Sequence, residues 1–155
     1  MKYINFEDTA DTISDEFFMK EALKEAQKAF DADEIPIGAI VVHGGNIIAR
    51  GHNLTETLND VTAHAEMQAL TAAANYIGGK YLKDCTLYVT VEPCVMCAGA
   101  SYWAQVQRIV FGAKDDKRGY TSISENIIHP KTTIIKGVLD TACSSLMRKF
   151  FELKR

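Results

Sequence analysis

Two short stretches, His64-Ala65-Glu66 and Pro93-Cys94-Val95-Met96-Cys97, supply one imidazole, one carboxyl and two thiols in the pattern of a catalytic zinc centre. Two thiolates and an imidazole make a soft donor set suited to tetrahedral zinc. Structural zinc sites close with four protein ligands, whereas catalytic ones stop at three and keep a position for water. Zinc lowers the pKa of that water from 15.7 to about 7. Glu66 lies two residues past His64, a spacing that does not put both side chains on one metal. It can instead stand beside the water and shuttle its proton. A structural site would need a fourth ligand. Cys85, Cys143 and His52 are the candidates, and none stands at a usual ligand spacing. A redox pair would account for Cys94 and Cys97 but not for the second motif. Glu92, just ahead of Pro93, reads as a structural carboxylate that bonds the loop holding Cys94.

The elements that must position these groups are legible from periodicity. The first dozen residues are polar and read as loose. Ser14 reads as the N-cap of a helix with an apolar stripe at Phe18, Ala22, Ala26, Ala29 and Phe30. Gly38 to Val42 reads as a strand, Gly44-Gly45 as a turn, and Asn46 to Gly51 as the returning strand. A polar loop, Asn53 to Val61, leads to a helix opened by Thr62 or Ala63 that runs to about Tyr76 and stops at Gly78-Gly79. Thr86 to Val91 is a β-branched strand. Pro93 starts a helix that continues to about Trp103. Arg108 to Gly112 and Thr132 to Lys136 are two further strands, separated by a long loop from Ala113 to Pro130. Leu139 to Lys154 is a final amphipathic helix. Strands alternating with helices after an opening hairpin imply an α/β fold, one mixed five-stranded sheet with helices on both faces. His64 and Cys94 both fall in the first turn of an expected helix, where partial positive charge favours thiolate and metal binding.

At 155 residues, 47% hydrophobic and 24% charged, the chain fits a single globular domain, 1–155. No apolar run approaches a membrane span, and no signal region precedes the first helix, so the expected location is the cytoplasm and no membrane partner is expected. Cys85 and Cys143 read as small buried apolar residues. Charge is unevenly spread: residues 1–100 carry 7 Lys/Arg against 15 Asp/Glu, and residues 101–155 carry 10 against 5. A basic C-terminal third can face an anionic substrate such as nucleic acid, or simply solvate a surface. Asn53 reads locally as a turn residue, and His43, His52 and His129 as surface or loop histidines.

The pairing of H-x-E with P-C-x-x-C is the signature of zinc nucleobase deaminases. The runs "TAHAEMQAL", "TLYVTVEPCVMCAGA" and "RIVFGAKD" resemble the bacterial tRNA-specific adenosine deaminases of the cytidine/deoxycytidylate deaminase superfamily. The resemblance implies a three-layer α/β/α cytidine-deaminase-like fold, a homodimer, and one zinc ion per subunit. It implies hydrolysis of adenosine to inosine at the wobble position of a tRNA anticodon. Carried over by position, it implies zinc ligation by His64, Cys94 and Cys97 and proton shuttling by Glu66. It further implies substrate contacts by Ile37, Asn53 and Ala65, an RNA-backbone role for Asp115, and a C-terminal helix whose Lys149, Phe150 and Arg155 meet the anticodon loop. Phe150, Phe151 and Tyr120 are candidates for stacking on loop bases. One segment departs: Tyr102-Trp103-Ala104 is similar to the guanine deaminases of the same superfamily, which makes free guanine the alternative substrate.

Overall fold

The chain alternates strands and helices as its periodicity requires. A computed structural model describes residues 2–5 and 12–155. In chain order the elements are β1 (Lys2–Asn5), α1 (Thr12–Asp31), β2 (Gly38–His43), β3 (Asn46–His52), α2 (Ala65–Ile77), β4 (Cys85–Val91), α3 (Val95–Ala104), β5 (Arg108–Ala113), β6 (Thr133–Lys136) and α4 (Asp140–Leu153). All five expected strands form. A sixth, β1, corrects the reading of the first dozen residues as loose; residues 1 and 6–11 of that stretch lie outside the described residues. β1 pairs in parallel with β6, Tyr3 opposite Ile134, at the edge of the sheet. A four-residue edge strand carries too little pattern to stand out in sequence, and its partner lies 131 residues on. Helix α1 begins at Thr12, two residues ahead of the expected cap at Ser14.

The sheet order is β1-β6-β5-β4-β2-β3. β2 runs antiparallel to both β3 and β4, while β4, β5, β6 and β1 are parallel. Gly44 and Gly45 make the hairpin turn at φ 57° and 78°, the positive values that match the twist of the flanking strands. Every residue of β4 is buried, as a central strand covered on both faces must be. Alternate residues feed two cores. Ala39, Val41, Leu87, Val89, Ile109 and Phe111 face α2 and α3 through Ala65, Ala69 and Ala98. Ile40, Val42, Tyr88, Val110 and Ile135 face α1 and α4 through Met19, Ala22 and Cys143. The result is three layers, α/β/α.

The two faces are fastened differently. Asp15, buried on α1, accepts from the Tyr88 hydroxyl at 2.7 Å and from Arg108 at 3.0 Å, which ties the start of α1 to the centre of the sheet. Helix α2 is held by steric fit. A Cβ on Gly51 of β3 would lie 2.6 Å from the Ala65 carbonyl oxygen and 2.9 Å from the Ala69 nitrogen, both backbone atoms of α2. The missing side chain lets the first turn of α2 lie directly on the sheet. Gly51→Ala is expected to push α2 outward, costing about 1–3 kcal/mol of stability as overpacking does. The check is the midpoint of urea unfolding together with zinc retention, because α2 follows directly on His64. An unchanged midpoint would show that this contact does not set the helix.

Candidate metal centre and catalytic pocket

β3 and β4 end at the same edge of the sheet, and α2 and α3 begin there. Each helix is entered through a residue with extended backbone: His64 at φ −73°, ψ 155° and Cys94 at φ −73°, ψ 174°. Both are N-caps, one step ahead of the first turn in which the sequence places them. An N-cap side chain stands over the unsatisfied N–H groups of its helix, so the two side chains meet where two positive helix ends converge. Cys97 is the third residue of α3 and lies on the same side as Cys94.

The ring nitrogen Nδ1 of His64 is 3.6 Å from Cys94 Sγ and 3.5 Å from Cys97 Sγ. The three ligand atoms lie within 4.8 Å of one another. A tetrahedral zinc with bonds of about 2.3 Å to sulfur and 2.0–2.1 Å to nitrogen spans roughly 3.5 Å between those atoms. The spacing is therefore that of zinc ligands. Cys85 and Cys143 are buried elsewhere, in the cores, and His52 sits beside Glu25 at 3.6 Å. None of them joins the cluster. The described residues therefore offer three donors, the number of a centre with an open position.

The electrostatics favour a cation. A hydrogen bond from the Cys97 thiol, and then one with His64, hold the Cys94 thiol down to about 4 against the opposing effect of burial. Cys97 is pushed up by the Cys94 sulfur and by burial, the direction that keeps its proton on. His64 is raised, chiefly by its bond to Cys94. A divalent metal would displace those protons, which is how such sites couple affinity to pH.

Glu66 lies in the first turn of α2 and is 3% exposed. Burial, reinforced by the negative charge on Cys94, pushes its carboxyl up to about 7. Its Oε1 is the buried side-chain oxygen that lacks a hydrogen-bond partner among the described residues. An unsatisfied buried carboxylate oxygen beside three converging metal donors fits a zinc centre with a water to serve.

Glu92 is 4% exposed and bonds the neighbouring loop: its Oε1 accepts from Asp115 N–H at 3.3 Å, and its Oε2 from Thr121 N–H at 3.1 Å and hydroxyl at 2.7 Å. Asn53 is buried, and its Oδ1 accepts from Thr55 N–H at 3.2 Å, a local turn. Its backbone N–H reaches the Ile37 carbonyl at 3.1 Å, and Ile37 packs against both cores. Ala65 is fully buried under the first turn of α2. Asp115 turns its Oδ1 onto Lys117 N–H and Arg118 N–H, at 3.1 and 3.0 Å. Lys149 and Arg155 are exposed on α4 and just beyond it.

The stacking expectation is corrected for two aromatics. Tyr120 is fully buried, and Phe150 is 6% exposed with its ring 5.8 Å from Phe30 and 5.4 Å from Phe151. Both fill cores and have no face to offer a base. Phe151 keeps 43% exposure. Sequence reasoning passed over Glu34 and Thr57, because a turn glutamate and a loop threonine 23 residues apart form no local pattern.

Residues 12–113 match the family described as the cytidine and deoxycytidylate deaminase zinc-binding region. The tRNA-specific adenosine deaminase of Bacillus subtilis (strain 168) is 44% identical over 147 residues, 91% of this chain and 91% of its own length. A chloroplastic tRNA(adenine(34)) deaminase of Arabidopsis thaliana is also 44% identical, but the chain spans only 12% of that protein's length. Among solved structures, one from work on A-to-I editing by tRNA:A34 deaminases superposes with a TM-score of 0.78 at 38% identity, covering 84% of this chain and 98% of the other. Guanine deaminase from Bacillus subtilis superposes with a TM-score of 0.61 at 44% identity over 64% of each chain. With its zinc-donor triad, its buried glutamate and this extent of likeness, the chain belongs to the cytidine and deoxycytidylate deaminase family, and within it to the tRNA-specific adenosine deaminases.

Proposed function

We propose that this chain is a single-domain, cytoplasmic hydrolase that converts adenosine to inosine at the wobble position of a tRNA anticodon, acting as a homodimer with one zinc ion per subunit. His64, Cys94 and Cys97 hold the metal. When bound, zinc acidifies water and supplies a nucleophile at neutral pH. With the metal bound, Glu66 would take one proton of the attacking water and place it on the ring nitrogen, where inosine keeps it, and would then pass the second water proton to the departing amine, so that water and adenosine become inosine and ammonia. The observation that carries this reading is the buried, unpartnered Oε1 of Glu66 beside the donor triad. A carboxyl held near 7 can both accept and return a proton at neutral pH.

By resemblance, Asn53, Ile37 and Ala65 are the residues assigned to the purine; Asn53 is buried with its backbone N–H on the Ile37 carbonyl, and Ala65 begins α2 directly after His64. The Oδ1 of Asn53 is committed to its own turn, which leaves the amide nitrogen to donate to a base. Asp115 works through geometry: an anion facing phosphate would repel it, whereas the turn it caps presents Lys117 and Arg118. Lys149 and Arg155 extend the basic surface, and the unpaired anticodon loop keeps the cost of exposing the base low. The RNA substrate is supported by likeness to the Bacillus subtilis adenosine deaminase over nine-tenths of both lengths. The alternative, free guanine, is supported by the 44% identity to guanine deaminase, which covers 64% of the chain.

Glu66→Gln is expected to retain zinc at wild-type stoichiometry and to lose at least 100-fold in kcat, read by metal analysis and single-turnover kinetics. Full activity in that variant would remove Glu66 from the proton-transfer role. A paired assay separates the substrates: inosine in an anticodon stem-loop without ammonia from guanine supports the RNA reading, and the reverse result replaces it. Reversing Lys149 and Arg155 to Glu is expected to weaken stem-loop binding and to lower the slope of log affinity against log salt by about 1 per lost phosphate contact. A salt slope identical to wild type would exclude both residues from the interface.

A further inference from the structure

The loop that carries His64 and the loop that abuts Cys94 are tied down by the same device. Glu34, fully buried in the turn after α1, accepts from Glu56 N–H on Oε1 at 3.0 Å, and from the N–H and hydroxyl of Thr57 on Oε2 at 2.7 Å each. Glu92 repeats the arrangement with Asp115 N–H on one oxygen and the N–H and hydroxyl of Thr121 on the other. In each case one buried carboxylate takes two backbone N–H groups and one threonine hydroxyl from a segment more than twenty residues away.

The first loop joins β3 to α2. Its ends are pinned by Leu54 N–H to the Ala63 carbonyl at 2.9 Å, and it runs from Asn53 to His64. The second follows β5. Gly119 bridges to Cys94, and Tyr120 N–H bonds the Pro93 carbonyl at 2.9 Å. A Cβ on Gly119 would lie 2.1 Å from Glu92 Oε2, so this carboxylate is packed directly against backbone. Both loops lack long regular elements of their own, yet each carries or abuts a metal donor.

We propose that Glu34 and Glu92 are positioning residues, a pair of carboxylate straps that set the two walls of the pocket. The proposal rests on the deaminase reading of the site. Glu34 sets Asn53 and His64 through Glu56 and Thr57. Glu92 sets the turn of Asp115 and the backbone behind Cys94 through Thr121. Charge matters to the device. A carboxylate accepts on both oxygens, whereas a glutamine would aim an amide hydrogen at a backbone N–H and force the loop away. For Glu34, burial acts to raise the pKa, but the bonds from Thr57 and Glu56 outweigh it and keep the group ionised.

The test uses the full zinc-loaded chain. Thr57→Val and Thr121→Val each delete one hydroxyl at nearly constant volume, with Thr57→Ser and Thr121→Ser as rescues and Glu34→Gln and Glu92→Gln as the stronger cuts. The readouts are zinc content, kcat and KM on the stem-loop well below the melting transition, and amide hydrogen exchange in residues 54–63 and 113–121. Thr57→Val is expected to keep zinc and to lose about tenfold or more in kcat/KM, because the loop it loosens carries Asn53 as well as His64 and misplacement of this order is costly to chemistry. Thr121→Val is expected to raise KM about tenfold with kcat nearly held, as loss of uniform binding does. Each serine variant restores its parent, and exchange accelerates only in the loop whose strap is cut. Variants that melt earlier but keep kcat, KM and exchange would overturn the proposal and leave both carboxylates purely structural. If the wild-type protein deaminates neither substrate, the deaminase reading has failed, and unchanged exchange in the valine variants would then sink the straps separately.

Discussion

The direction of β2 governs everything at the pocket. Because it runs antiparallel to both neighbours, β3 and β4 point the same way and deliver the chain to the same edge of the sheet. The helices that follow them therefore start side by side. Two N-termini, each with unsatisfied N–H groups and partial positive charge, converge over one small volume. The N-cap residues His64 and Cys94 face each other there, with Cys97 one turn deeper. A sheet with β3 reversed would put α2 at the far edge and separate the imidazole from the thiols by the length of a strand.

Buried carboxylates divide into two kinds in this molecule. Asp15, Glu34 and Glu92 are withdrawn from water and bonded by hydroxyls, a guanidinium or backbone N–H groups. Those bonds offset desolvation, and they are what fasten α1 and the two loops. Glu66 is the exception, with one oxygen lacking a partner. Leaving a buried polar atom unsatisfied costs about 1–3 kcal/mol. Among the described residues the other buried acids are met by such bonds, and this one is left with an open oxygen beside the three metal donors. The contrast locates the chemistry more sharply than the raised pKa alone, since burial by itself raises any carboxyl.

Recognition of RNA depends on which side chains the core leaves over. Phe150 and Tyr120 are consumed by packing, which leaves Phe151 and the cations Lys149 and Arg155 exposed. Asp115 closes a turn with its own oxygen, and the exposed Lys117 and Arg118 follow from that turn.

The cluster of one imidazole and two thiols, the buried carboxyl beside it, and, among the described residues, five of six strands and all four α-helices were legible in the sequence, because each rests on local pattern. Metal ligands at a helix start recur at short spacing, and strand and helix periods show within a dozen residues. Glu92 could be assigned a structural task from its place before Pro93. What tertiary structure alone decided is whatever depends on distant partners. The pairing of β1 with β6 spans the whole chain and adds the sixth strand. Glu34 meets Thr57 across 23 residues, and Gly51 admits α2 only because of where that helix lies. Phe150 is core and not surface because Phe30, on another helix, covers it. Types and spacings in the chain name the chemistry, but long-range packing chooses which side chains are free to perform it and how firmly their loops are held.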